Sequence, residues 1–321
     1  MTLRRREVVH VAGIAGAAAV LGTAGPLRAR GTAVRIVVAY PPGGVSDTAA
    51  RLLATLLEPA LQSPVIVENR GGAGGSVALA GVARAAPDGR TLGFSAISPL
   101  TLSPHFGVAA PRVVPVIGVM RTPQLLVATP AIAATGFADM LRLARARSAY
   151  GGGGLRWATS GVGTLGHLIL EEVRRATQID VVHIPYAGGG PQLQDALAGR
   201  FELLSTNLAP LQLDYVAAGR FVPLALGARQ RTALLPQVPT FAEAGCPGAN
   251  RSSLFGLFAP QGTPAAQVAR LHAACSAALR QPAFVQMLRS SGNEAGADAT
   301  EAFAREIAHE FAANRRLFTQ R

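Results

Sequence analysis

The chain reads as an α/β protein of two lobes, each a mainly parallel sheet with helices on its faces. Short β-branched runs alternate with helical stretches at the spacing of βα units. The 321 residues exceed what one hydrophobic core usually organises. Three glycine-rich turns each lead from a strand into a helix. The composition is rich in Ala, Gly and Pro and poor in aromatics, with 49% apolar residues, so low-complexity disorder and collagen-like repeats are excluded.

The first 31 residues stand apart from this pattern. Arg4-Arg5-Arg6-Glu7-Val8-Val9-His10 precedes a mildly apolar stretch from Val11 to Gly25, then Pro26 and small residues. That layout predicts a cleavable export signal over 1–31, and Arg5-Arg6 followed by one polar and two apolar residues resembles a twin-arginine signal. Its core is too short and too weakly apolar to span a bilayer. Cleavage is expected after Ala29, Gly31 or Ala33, and an uncleaved amphipathic helix is the alternative. No Cys lies near it to carry a lipid anchor.

Beyond the signal, strands are expected at Val34 to Ala39, Val65 to Glu68, Thr91 to Ser95, Leu125 to Thr129, Val181 to Ile184, Phe201 to Thr206 and Leu254 to Ala259. Helices are expected near 47–58, 75–86, 137–147, 164–176, 191–199 and 209–219, with three more near 264–281, 283–290 and 300–317. Thr240 with Glu243 makes a capping box, and Thr263 followed by Pro264 predicts an N-cap and an N1 proline. No internal repeat is evident. The lobes are expected to be discontinuous, one from 32–124 plus 226–321 and the other from 125–225.

Charge and cysteine content exclude whole classes of function. The formal charge of +12 comes entirely from arginines scattered along the chain, with no lysine and no basic helix, so nucleic acid is not an expected partner. Loss of the signal lowers the charge to +8, a moderate basicity that attracts anionic solutes. Cys246 and Cys275 are too few for thiolate metal sites and sit in apolar contexts, which favours buried free thiols over a disulfide. The six histidines have no metal-ligand spacing, and no cofactor is implied.

The glycine-rich turns carry the chemistry. The first is Tyr40-Pro41-Pro42-Gly43-Gly44-Val45-Ser46-Asp47, the second Thr159-Ser160-Gly161-Val162-Gly163-Thr164, and the third Pro185-Tyr186-Ala187-Gly188-Gly189-Gly190 before Pro191. In open α/β sheets such turns lie at the carboxyl ends of strands, where unpaired N–H groups at a helix start receive anions. Each charge-assisted hydrogen bond contributes roughly 1.5–3 kcal/mol and each helix dipole about 0.3–1 kcal/mol, so four or five bonds support micromolar capture without a buried cation. Ser46 or Asp47 is expected to cap the helix after the first turn, and Thr164 the helix after the second while pointing a donor at the anion.

Two enzyme readings fail on context. Gly161-Val162-Gly163-Thr164-Leu165-Gly166 matches a dinucleotide fingerprint letter for letter, yet the next strand ends in Pro185-Tyr186 rather than in a ribose-binding acid, and Asp180 precedes it. Ser160, Ser76, His167 and His183 supply raw material for a hydrolase, but Gly74-Gly75-Ser76-Val77-Ala78 lacks the last glycine of G-x-S-x-G. His167 lies on a first helical turn, where loop support is the commoner role, and His183 lies inside a strand.

Across nearly the whole chain after the signal, the ordered motifs resemble the Bug (TctC-type) receptors of tripartite tricarboxylate transporters. They are Val34 to Asp47, Glu68 to Gly75, Ala86-Pro87-Asp88-Gly89-Arg90-Thr91-Leu92, Ser160 to Thr164 with His167-Leu168, and His183-Ile184-Pro185-Tyr186. Arg231 with Leu234-Leu235-Pro236, Val238-Pro239-Thr240, Glu243-Ala244-Gly245 and Gly256 to Pro260 with Gly262-Thr263-Pro264 keep the same order. Ala187 departs from the pattern, standing where the family usually has Lys. Cys246 replaces an aliphatic residue, and Tyr150 to Leu155 holds a Gly-rich stretch in place of a short polar turn.

The resemblance implies a type II periplasmic-binding-protein fold, two α/β lobes joined by crossover strands with a carboxylate held in the cleft between them. It points to Pro42, Gly43, Gly44, Ser46, Asp47, Ser98, Ser160, Gly161, Gly163, Thr164, His167, Tyr186, Gly188 and Asn207 as ligand-binding positions. It also implies a periplasmic, monomeric receptor without catalysis. Its partners would be the membrane subunits of a transporter, or a sensor kinase, with an exported hydrolase-like enzyme as the alternative.

Overall fold

The computed structural model describes residues 33–296 and 299–319, and the expected export signal lies outside them. The chain opens with β1 (Val34–Val38), α1 (Val45–Leu61), β2 (Val65–Asn69), α2 (Ser76–Ala83) and β3 (Thr91–Ala96). β1 lies between β2 and β3, all parallel. Both faces of β1 are buried: Ile36 and Val38 pack on Leu53 and Leu57 of α1, while Val37 packs on Ala78 and Val82 of α2. That double burial explains why β1 is apolar at every position but the exposed Arg35. Full burial of Leu53 and Leu57 contributes roughly 1.5–3 kcal/mol each.

A short α3 (Ser98–Thr101) leads into β4 (Val113–Ala128), the longest strand. The chain then builds α4 (Phe137–Ala149), β5 (Leu155–Thr159), α5 (Leu165–Thr177), β6 (Val181–Pro185), α6 (Gly189–Leu197), β7 (Leu203–Asn207), α7 (Pro210–Ala217) and β8 (Val222–Gly227). β5 lies between β6 and β7, again all parallel. It returns as β9 (Ser252–Pro260) and ends with α8 (Ala265–Leu279), α9 (Pro282–Ser290), β10 (Glu294–Ala295) and α10 (Thr300–Thr319).

β4 ties the two sets of strands together. Its first part, Val113 to Pro123, pairs antiparallel with β9, which in turn pairs antiparallel with β3. Its last five residues, Gln124 to Ala128, lie antiparallel between β7 and β8. Each set therefore repeats one plan, a parallel trio with its earliest strand central and an antiparallel strand beyond the third. The sequence shows no such repeat, because the plan is one of pairing and not of residues. The lobe boundary expected at 225 falls inside β8, whose Leu226 and Gly227 still pair with Leu125 and Gln124.

Among the finer expectations, Thr240 and Glu243 bond reciprocally, Thr240 N–H to Glu243 Oε2 at 2.7 Å and Glu243 N–H to Thr240 Oγ1 at 3.2 Å, but they close a turn and not a helix. Thr263 does not cap α8. Its hydroxyl donates to Pro260 O at 2.8 Å, and Pro264 is the N-cap instead of the first helical residue. Cys246 and Cys275 are buried free thiols, and burial pushes Cys275 up to about 12.

Candidate functional site

The first turn leaves β1 and enters α1 through Gly44, an N-cap with no side chain to bond the helix start. Asp47 works from inside the helix instead. Its carboxylate accepts from Gly43 N–H at 2.9 Å, from Arg51 Nε at 3.0 Å and from Asn69 Nδ2 at 2.8 Å. Burial alone would raise this carboxyl, but the Arg51, Gly43 and Asn69 hydrogen bonds outweigh it and hold it below the usual carboxylate range. The acid gathers the turn at Gly43, and among the described residues no acceptor is bonded to Val45, Ser46 or Asp47 N–H.

The second turn is held by side chains. Thr164 is the N-cap of α5, its Oγ1 accepting from His167 N–H at 3.4 Å. Its own hydroxyl hydrogen goes to Gly161 O at 2.7 Å, so the donor expected to point at a solute is already committed. His167 supports the loop, with Nδ1 accepting from Gly163 N–H at 3.3 Å and Glu171 Oε1 lying 3.9 Å from Nε2. Its ring stacks on His183 at 4.2 Å, and His183 Nε2 lies 2.7 Å from Thr159 Oγ1, a fully buried hydroxyl beneath the loop. Burial lowers the His183 pKa below its ordinary value, with Glu171 pulling the other way.

The third turn enters α6 at Gly188, an N-cap at φ +143° and again without a capping side chain. Tyr186 turns inward. Its phenol donates to Asp195 Oδ2 at 2.7 Å, its ring meets Phe201 edge-on, and burial followed by the Asp195 bond raises its pKa to about 12.

These turns surround one cavity of about 200 Å³. Pro41, Pro42, Gly43, Gly44, Val45 and Ser46 line it from the first turn, Ser160 and Gly166 from the second, and Gly189 and Gly190 from the third. The starts of α1, α5 and α6 therefore face a common space. Gln124, Gln192, Ser205, Thr206 and Asn207 add polar walls, while Leu193, Ala209 and Leu211 add apolar ones. Among the described residues no charged side chain lines it. The uncapped starts of α1 and α6 supply positive potential there, and such a setting suits an anion.

Of the fourteen positions singled out from the sequence, Pro42, Gly43, Gly44, Ser46, Ser160 and Asn207 line this cavity. Asp47, Thr164, His167 and Tyr186 stand behind it as loop supports. Ser98 lies in a separate crevice with Thr101 and Arg121. Gly161, Gly163 and Gly188 are contact points between turns: a Cβ on Gly163 would lie 2.8 Å from Ser103 Cα, on Gly161 3.5 Å from Gly74 N, and on Gly188 3.9 Å from Pro41. Gly166, whose Cβ would fall 2.9 Å from Ser205 Cβ, brings α5 down onto β7. Gln124, Gln192, Ser205, Thr206 and Gln212 escaped the motif reading. Ser205-Thr206-Asn207 at the carboxyl end of β7 was the signal that could have found the strand wall.

The model of the tripartite tricarboxylate transporter family receptor matches residues 49–321. The chain belongs to this family. BugT of Bordetella pertussis is 32% identical over 265 residues, covering 81% of this chain and 80% of BugT. An R. palustris protein solved with adipate superposes at a TM-score of 0.81 with 31% identity, over 89% of this chain and 96% of that one. MatC from Rhodopseudomonas palustris, with bound malate, gives 0.81 at 28% identity over 89% and 99%. The fold is that of these two-lobed solute-binding receptors.

Proposed function

We propose that this chain is the periplasmic solute-binding receptor of a tripartite tricarboxylate transporter and captures a small carboxylate without altering it. One observation carries the reading: the starts of α1 and α6, neither capped by a side chain, face one cavity that no charged side chain among the described residues lines. Related receptors hold adipate and malate, whose carboxylates suit such a site. The lobes are about 32–124 plus 226–321 and about 125–225, with bounds that shift by about ten residues or more because Val238, Phe241, Cys246 and Ala249 still pack in the cores around β5 and β7, and β4 crosses between them. The carboxylate enters the open cleft, and closure brings Gly163 against Ser103 and Gly74 against Gly161. The closed form then docks on the membrane subunits or on a sensor kinase.

Calorimetry of the mature chain with malate, adipate and a panel of organic acids tests this. Micromolar binding, about 8 kcal/mol, with the ligand recovered unchanged is expected; no binding by any carboxylate, or turnover of one, overturns it. Export by the twin-arginine route is tested separately, since changing Arg5 and Arg6 to Lys should hold the protein in the cytoplasm.

A further inference from the structure

Besides its polar walls, the carboxylate cavity has an apolar side made by Val45, Leu193, Ala209 and Leu211. There it adjoins a second space of about 340 Å³, an annex bounded by α1, α7 and α9. Gly43, Val45, Ala209 and Leu211 border both spaces. Two of these four leave the border open: a Cβ on Gly43 would meet nothing within 4 Å, and Leu211 is 40% exposed.

The annex demands nothing polar of what enters it. Thr48 Oγ1 donates to Gly44 O at 3.2 Å, Ser290 Oγ to Met287 O at 3.1 Å and Ser291 Oγ to Met287 O at 2.6 Å, so each hydroxyl hydrogen is committed to its own helix. Among the described residues that line it, Asp214 alone is charged, and this exposed acid disfavours a second anion there. What remains is apolar: Val45, Ala209, Pro210, Leu211 and Met287, the last a flexible side chain that fits varied shapes. We infer, resting on the carboxylate-capture reading above, that the ligand is a carboxylate with an apolar chain or ring longer than that of butyrate, whose end lies in this annex. The head is held at the starts of α1 and α6, and the tail runs past Leu211 against Met287. Each methylene that the annex takes from water then raises affinity about two- to fourfold.

Calorimetry of the mature chain with butyrate, hexanoate, octanoate and 4-phenylbutyrate tests this. Octanoate and 4-phenylbutyrate should bind about tenfold or more tightly than butyrate. Met287 and the exposed Ser290 line the annex and not the carboxylate cavity, so variants there locate the tail. Met287→Gln keeps the side-chain length but makes the wall polar, and should remove part of the long-acid gain. Ser290→Trp fills the space and should bring the long acids to within about threefold of butyrate. Butyrate itself should bind both variants as it binds the wild type, and circular dichroism checks that they fold. Affinity that is level or falls along the series, or a long-acid gain that the folded variants leave intact, overturns the inference and leaves carboxylate capture standing. Failure of all four acids, and of malate and adipate, to bind overturns both.

Discussion

The first and second glycine-rich turns look alike in sequence and do different work. Around Gly43 an acid inside the helix gathers the turn, and the backbone in front of it borders open space. A Cβ on Gly43 would meet nothing within 4 Å. Around Gly163 a threonine and a histidine hold the turn from behind, and its front presses on the backbone of Ser103, whose hydroxyl donates to Gly163 O at 3.2 Å. The same residue vocabulary makes a ligand wall in one place and a closing contact in the other. What decides is the partner that each turn faces, which local sequence does not encode.

The largest expected effect breaks or confirms this contrast directly. Gly163→Val adds left-handed backbone strain, at φ +70°, to a clash with a backbone atom, and should cost affinity on the order of 100-fold. Gly43→Val, at φ +83° but in open space, carries the strain alone, about 1–2 kcal/mol, and should lose only about tenfold. Calorimetry with circular dichroism measures both, and equal losses would erase the distinction between wall and contact.

Next in size is Asp47→Ala, which removes an acceptor from three donors and should cost about 2 kcal/mol in urea unfolding. Because the folded pKa of Asp47 is depressed, its contribution is present above the unfolded value of about 3.9 and is lost as the pH falls through the lower folded value. The variant should therefore show a flatter acid limb below about pH 4. Thr164→Ala should cost about 1 kcal/mol as a lost cap and change affinity by less than about threefold, since its hydroxyl hydrogen is committed to Gly161. A loss nearer 100-fold would return that hydroxyl to the ligand.

The smallest effect concerns His183, whose folded pKa is also depressed. Its contribution is complete above the unfolded value of about 6.5 and declines as the pH falls through the folded one. His183→Gln should remove part of the stability slope below about pH 6.5, read from thermal midpoints across pH.

Much of the fold was legible because parallel strands are rich in β-branched apolar residues, as in Val34 to Val38, interrupted only by exposed Arg35, and in the edge strand Val181 to Pro185. The missed strands each had a local reason. β5, Leu-Arg-Trp-Ala-Thr, carries Arg156, which is tolerated because it pairs at 2.7 Å with buried Glu202. β8 contains Pro223, and the first part of β4 contains Pro115, Gly118 and Pro123, absorbed there by irregular register with β9. In the site, backbone turns were visible as glycine motifs. Gln124 and Gln212 were not, since an isolated amide on a strand or helix has no spacing to betray it, and only the pairing of β4 with β7 sets Gln124 beside Asn207.

The late arrival of β9 has a consequence for synthesis. β1, β2 and β3 are complete by Ala96, yet the strand that covers the flank of β3 begins at Ser252. At ordinary translation rates the ribosome needs on the order of ten seconds to supply it. Throughout that interval β3 offers an uncovered edge of Gly93 to Ala96 to any neighbouring chain, whereas the second trio meets its antiparallel partner from residues already made. A nascent molecule is therefore half finished in a lopsided way, and its N-terminal sheet is the part that depends on chaperoning.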